Sequence, residues 1–310
     1  MHANWEDTTF RFTDPEGYEI FVYSWGPPAG VDAKAVMQIE HGAAEHALRY
    51  ERLARYLNQN GYIVYADDHR GHWKTAETMD KAGICGPDGW DWMVKDAKQL
   101  TDIIKENHPG LPVFLFGHSM GSLMAQQYIQ NWGTELKGAI LCGTTGVSMV
   151  DASVVPLAEQ AAGAEAADLP SELFAGLFAS VNAPFEPVKT PFDWLSRDEL
   201  EVQKYIDDPW SGFMFTNGMT YEFIKGMVNL FDPENESRIP KTLPVYIIGG
   251  EMDPVGANDG VVTLVNRYQD DLGLGDVSYK IYPGARHEIL NETNRDEVHV
   301  DILNWLEARL

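Results

Sequence analysis

Along this chain, short continuous apolar runs alternate with segments of helical periodicity, and no other feature limits its folds as severely. Val113-Phe114-Leu115-Phe116 and Gly138-Ala139-Ile140-Leu141-Cys142 show no polar alternation. A strand with one face in water alternates apolar and polar residues, whereas a strand covered on both faces reads as an unbroken apolar run. Ala35-Val36-Met37-Gln38-Ile39, Tyr62-Ile63-Val64-Tyr65, Pro244-Val245-Tyr246-Ile247-Ile248 and Val277-Ser278-Tyr279-Lys280-Ile281-Tyr282 read as further strands. Helical patterns fall between them, at 52–60 (closed by Gly61), 94–106 and 122–132, with a last one at 296–307. Strands that alternate with helices predict an α/β fold with a mostly parallel sheet. Thr9-Phe10-Arg11-Phe12 and Glu19-Ile20-Phe21-Val22-Tyr23, around the turn residues Asp14-Pro15-Glu16-Gly17, predict an antiparallel hairpin at the start.

The rhythm breaks between about 146 and 241, where no buried strand is expected. Leu173, Phe174, Leu177, Phe178 and Val181 recur at helical spacing, and Pro184, Pro187 and Pro191 then interrupt the pattern. Phe213, Met214, Phe215, Met219 and Phe223 form a second apolar group. A largely helical insertion into one large domain is expected. The formal net charge of −24 repels phosphate backbones and anionic lipid surfaces, which argues against nucleic-acid binding. No stretch approaches the ~18 apolar residues of a membrane span, so no stable membrane insertion is expected. Met1-His2-Ala3-Asn4-Trp5-Glu6-Asp7 has neither a basic start nor an apolar run and does not read as a signal peptide. Cys85 and Cys142 are too few for a disulfide framework, and a reducing, cytoplasmic location is expected.

Gly117-His118-Ser119-Met120-Gly121 matches G-x-S-x-G, directly after the buried 113–116 strand and directly before a helix. A serine on such a strand-to-helix turn is exposed at the C-terminal edge of the sheet, and the flanking glycines keep Cβ atoms out of the turn. The helix N-terminus favours negative charge developing beside it. A serine hydroxyl is a weak nucleophile until a base takes its proton. Asp253 follows the strand ending at Ile248, and His287 follows the strand ending at Tyr282. Loops at the C-terminal ends of parallel strands can converge there. His287 is the candidate base, and Asp253 the candidate group that orients it. Asp259, Glu251 and Glu288 compete for the acid's place, and a helix cap is the ordinary job of a loop aspartate. His118 is expected to point elsewhere. His69 and His72, with Asp67 and Asp68, suggest a metal cluster. A serine triad needs no metal, so neither a metal nor a cofactor is expected.

These residues resemble a known family. His41-Gly42-Ala43-Ala44-Glu45-His46, then Asp68, Arg70-Gly71-His72, then the Ser119 turn and the Asp253 and His287 loops, are similar to the monoglyceride lipase and lysophospholipase branch of the α/β-hydrolases, a serine aminopeptidase-like group. The resemblance spans nearly the whole chain. It implies an α/β-hydrolase fold: a mostly parallel eight-stranded sheet flanked by helices, with a core at 1–145 and 242–310 and a helical cap at 146–241. It implies the backbone N–H groups of Ala43 and Met120 as an oxyanion hole. It places Glu45 and Arg49 at the alcohol side of the pocket, although a surface ion pair is the plain alternative. It makes Asp68 and Arg70 a structural loop pair. The implied activity is hydrolysis of a carboxylic ester through an acyl-enzyme, with a soluble or dispersed small-molecule ester as substrate.

Two positions depart from the family pattern. Ala44 stands where the family has the second glycine of His-Gly-x-Gly-Glu-His. Trp73 stands where the family continues Arg-Gly-His with glycine, and it is expected to crowd or line a pocket mouth. Two other readings stay open: an aminopeptidase-type amide hydrolase in which Glu45 or another cap carboxylate holds the substrate amine, and a non-catalytic ligand-binding version of the fold.

Overall fold

The computed structural model describes residues 7–163, 165–255 and 259–310. The N-terminal stretch weighed as a signal peptide, Met1 to Glu6 with His2, lies outside the described residues. The strands are β1 Thr8–Thr13, β2 Glu19–Trp25, β3 Ala35–Glu40, β4 Tyr62–Asp68, β5 Val113–His118, β6 Gly138–Cys142, β7 Val245–Gly250 and β8 Val277–Tyr282. They form one sheet in the order β1-β2-β4-β3-β5-β6-β7-β8. The run from β4 to β8 is parallel, while β1 and β2 are antiparallel at one edge. Asp14 sets their turn by accepting hydrogen bonds from Glu16 N (2.8 Å) and Tyr18 N (2.9 Å), with Gly17 at φ +89°.

Before the insertion the helices are α1 Glu51–Gln59, α2 Trp73–Ala76, α3 Gly89–Asn107 and α4 Met120–Trp132. Helix α3 begins five residues ahead of the expected 94. Its first residue is a glycine because a Cβ there would lie 2.3 Å from Cys85 Sγ. The insertion holds α5 Val155–Ala161, α6 Glu172–Leu177, α7 Glu199–Asp207, α8 Asn217–Leu230 and α9 Pro233–Glu236, and α10 Gly260–Asn266 and α11 Arg295–Glu307 follow it. The stripe through Val181 is therefore helical only as far as Leu177.

The unbroken apolar runs are explained by two cores, one on each face of the sheet. Val113, Leu115, Ala139, Leu141, Val245 and Ile247 face one core. Phe114, Phe116, Ile140, Cys142, Tyr246 and Ile248 face the other. Period-two side-chain alternation sends successive residues to opposite faces, and helices cover both. Helices α3, α4 and α10 supply the first core, and α1 and α11 the second. Helix α8, although inside the insertion, adds Met219, Phe223, Met227 and Leu230 to the first core. It lies so close to α3 that a Cβ on Gly226 would come within 2.3 Å of the Trp90 indole. Gly226→Ala is expected to destabilise the fold by about 1–3 kcal/mol, the usual range for overpacking. Urea unfolding checks this as a lower midpoint at unchanged slope.

Candidate active site

Ser119 sits between β5 and α4 at φ +52°, ψ −121°, a conformation rarely adopted by a residue with a side chain. Close packing forces the turn. A Cβ on Gly117 would lie 2.3 Å from Gly121 O, and one on Gly121 would lie 2.2 Å from Glu40 O. Ser119 N donates to Cys142 O (2.9 Å), which ties the turn to the end of β6.

The loops after β7 and β8 meet through Gly250, where a Cβ would fall 2.2 Å from Arg286 O. This contact brings Asp253 and His287 together. His287 Nδ1 lies 2.9 Å from both Asp253 Oδ1 and Oδ2. Asp253 Oδ1 also accepts Val255 N (2.9 Å). Both side chains are buried. Burial by itself depresses the imidazole's affinity for a proton. Asp253, then Glu288 and Glu45, more than offset this, so His287 is a stronger base than an ordinary histidine. The other candidate acids go elsewhere: Glu251 accepts Gly284 N (2.8 Å), Glu288 pairs with Arg49, and Asp259 stands at the N-terminus of α10.

Ser119 and His287 open on a cavity of about 270 Å³. Its apolar wall comes from the insertion, through Phe174, Phe178, Val181, Trp194 and Phe213. Gly42, Ala43, Ala44 and Glu45 also line it, with His118 and Glu288. In the loop after β3, Gly42 N donates to Glu45 Oε1 (2.6 Å) and Ala44 N to His72 Nε2 (3.2 Å). Ala43 N between them, and Met120 N at the start of α4, have no acceptor among the described residues. Ala44 takes φ +51°, which explains a glycine at this position in the family pattern.

Glu45 and Arg49 do pair, as the plain alternative had it, but not at the surface: their side chains are 4% and 12% exposed. Glu45 Oε1 also accepts from Tyr50 Oη (2.7 Å). Arg49 donates Nη1 and Nη2 to Glu288 at 2.6 and 2.7 Å.

Two expectations, for Trp73 and His118, are corrected. Trp73 is absent from the cavity lining, since its ring packs against His46 (4.1 Å) and Tyr23 (6.2 Å). The aromatic cluster beside β2 accommodates the bulk that replaces a glycine. Asp68 and Arg70 hold structural contacts, as expected of them, each through its own partners. Asp68 accepts Ala47 N (3.0 Å) and Lys74 N (3.2 Å), while Arg70 reaches Asp96 (2.7 Å) and Asp14. His118 does not point away: it lines the cavity, with its ring 4.8 Å from that of His287. Burial and His287 hold His118 down to about 3, so it stays neutral.

Of the four residues that suggested a metal cluster, His69 and Asp67 meet and are joined by Glu40, while His72 touches His69 only edge to face (ring centroids 6.0 Å). His69 Nδ1 is 3.1 Å from Asp67 and 3.8 Å from Glu40, and its Nε2 is 3.2 Å from His41 O. Burial opposes its protonation, but Asp67 and Glu40 push it up to about 9. His69 thus ties the end of β4 to the loop after β3. His72 is engaged by Ala44 N instead.

Sequence reasoning missed Trp194. Its ring lies 4.9 Å from His287, and its carbonyl accepts His287 N (3.3 Å), while Leu195 O accepts Glu288 N (2.8 Å). No local pattern marks this contact, which crosses more than ninety residues.

A mostly parallel eight-stranded sheet with a serine on the sharp turn after its fifth strand is the α/β-hydrolase fold, here in an enzyme of the serine hydrolase class. Residues 31–294 match the family described as serine aminopeptidase, S33, and the chain belongs to that family. It is 28% identical to a monoacylglycerol lipase of Mycolicibacterium smegmatis over 96% of each chain. It is 29% identical to the human monoglyceride lipase over 96% of this chain and 90% of that one. Its fold superposes with a TM-score of 0.90 on a thermostable carboxyl esterase from Bacillus coagulans, at 32% identity and covering 98% of this chain and 99% of that chain.

Proposed function

We propose that Ser119, His287 and Asp253 act as a catalytic triad on small acyl esters, with monoacylglycerols and short acyl esters as the substrate class. The enzyme is a carboxylic ester hydrolase, in keeping with the lipases and the esterase it resembles. One observation carries the reading of the residues: a serine on a strained turn and a buried carboxylate–imidazole pair open on the same apolar cavity. His287 takes the hydroxyl proton as Ser119 Oγ attacks the acyl carbonyl. The oxyanion formed sits between Ala43 N–H and Met120 N–H, and such donors are typically worth about 3 kcal/mol each. His287 then gives the proton to the departing alcohol, and water repeats the sequence on the acyl-enzyme.

The amide reading is weaker for a stated reason. That reading needs Glu45 or another cap carboxylate to hold a substrate amine; Glu45 already accepts from Gly42 N, Tyr50 Oη and Arg49, and none of the described cap residues lining the cavity is acidic. Residues 146–241 form the cap over a core of 1–145 and 242–310, with α8 anchored in that core. Among the described residues no helix is long and apolar enough to cross a membrane. Cys85 and Cys142, both buried and unpaired, fit a cytoplasmic setting.

The test is a series of p-nitrophenyl esters of increasing acyl length, run beside 1-monoacylglycerols. Burial is worth about 0.8 kcal/mol per methylene, so kcat/KM is expected to rise about fourfold per added methylene until the apolar wall is filled. Turnover of aminoacyl amides with no turnover of esters overturns the reading.

A further inference from the structure

Among the described residues that line the cavity, Glu45 and Glu288 supply carboxylates and no Lys or Arg is present. Arg49, their shared cation, is occupied by both: it donates to Glu45, and in bidentate fashion to Glu288, with its guanidinium 4.7 Å from the Tyr205 ring. The remaining partners of the two carboxylates are neutral donors: Gly42 N, Tyr50 Oη and Asn291 Nδ2. Two carboxylates against one guanidinium leave a negative charge uncompensated in a wall whose side chains are 4–12% exposed. The location of that wall follows from the chemistry. His287 must protonate the departing oxygen, so the alcohol part of the ester lies on the imidazole side, where Glu288 is the next residue in the chain and Glu45 faces the same space.

We infer that Glu288, with Glu45, makes the alcohol side of the cavity a charge filter: it admits esters of neutral or cationic alcohols and rejects esters of anionic ones such as glycerol phosphates. The inference rests on the ester-hydrolase reading and adds to it the class of leaving group. Sequence reasoning weighed Glu288 only as a competitor for Asp253's place, and the structure gives it this other role. At an effective dielectric near 20, a unit negative charge about 6 Å from an uncompensated carboxylate is disfavoured about a hundredfold. The surface charge of −24 acts in the same direction but is screened beyond about 10 Å. The discrimination therefore belongs to the cavity wall and should survive physiological salt.

The experiment compares kcat/KM for 1-decanoylglycerol and 1-decanoylglycerol 3-phosphate below their aggregation limits. The two substrates share acyl chain and scissile bond. The native enzyme is expected to prefer the neutral ester by about a hundredfold or more. Glu288→Gln, which removes the charge and keeps the volume, should narrow that ratio at least tenfold, and Glu288→Asp should keep most of it. A second pair needs no variant: decanoylcholine should be turned over at least as well as its uncharged 3,3-dimethylbutyl counterpart. Native turnover of the neutral and phosphorylated esters within about threefold of each other overturns the inference. So does a ratio that Glu288→Gln leaves unchanged, or a cationic ester turned over about ten times more slowly than its isostere. Loss of all ester turnover, p-nitrophenyl butyrate included, counts instead against the ester-hydrolase reading beneath it.

Discussion

Ser119→Ala should abolish ester hydrolysis, lowering kcat by on the order of 10⁵–10⁶-fold while leaving the protein folded. The size follows from the mechanism: without Oγ there is no acyl-enzyme, and only the oxyanion donors and the bound geometry remain to accelerate attack by water. The intact fold follows from the structure. Alanine meets the same backbone strain at φ +52° that serine already bears, and the turn is held by the glycine contacts and by Ser119 N, not by the hydroxyl. The melting temperature should therefore stay within a few degrees of the native value. A fluorophosphonate probe supplies the second readout. Intact mass should show one adduct on the native protein and none on the variant. An adduct elsewhere, or more than about 1% residual activity in the variant, removes Ser119 from its role.

Asp253→Asn should cost about 10⁴-fold in kcat with little loss of stability, and the two readouts together separate orientation from folding. Asp253 presents both oxygens to His287 Nδ1 at 2.9 Å, so the proton of a neutral imidazole resides on Nδ1 and leaves Nε2 basic toward Ser119. An amide in that place can turn its NH₂ toward Nδ1. The imidazole then takes the other tautomer, with Nε2 protonated and unable to accept the serine proton. The amide oxygen can still accept Val255 N, as Asp253 Oδ1 does, so the loop keeps its shape. Because Asp253 is the first of the carboxylates that raise the basicity of His287, the variant imidazole also titrates at lower pH. Activity within about tenfold of native in Asp253→Asn would return Glu251 or Asp259 to consideration.

The candidate site of this protein was legible in its sequence for physical reasons that particular residues illustrate. The 113–116 run is apolar at every position because β5 is covered on both faces, and a glycine-framed serine directly after it can only be a sharp turn. Asp253 and His287 were readable because each follows a recognisable strand by a few residues. Helix α3 was read from 94 and starts at Gly89, where the close approach of Cys85, a tertiary contact, leaves no room for a Cβ. Trp73 was read toward the cavity because a large ring replacing a glycine has to go somewhere. Its direction was decided by Tyr23 and His46, which belong to other parts of the chain.

By itself, the sequence determined the sheet, the turn that carries Ser119, and the loops that carry Asp253 and His287. Each of these depends on residues within a few positions of one another, where dihedral preference and two-face burial act directly. Tertiary structure alone decided what surrounds that chemistry. It set Trp194 against His287, made α8 part of the main core, and placed Glu288 on Arg49 at the cavity wall. Those contacts join residues from tens to more than two hundred positions apart. Which side chains meet at such distances is settled by how the helices and loops pack on the sheet, and no short window of sequence records it.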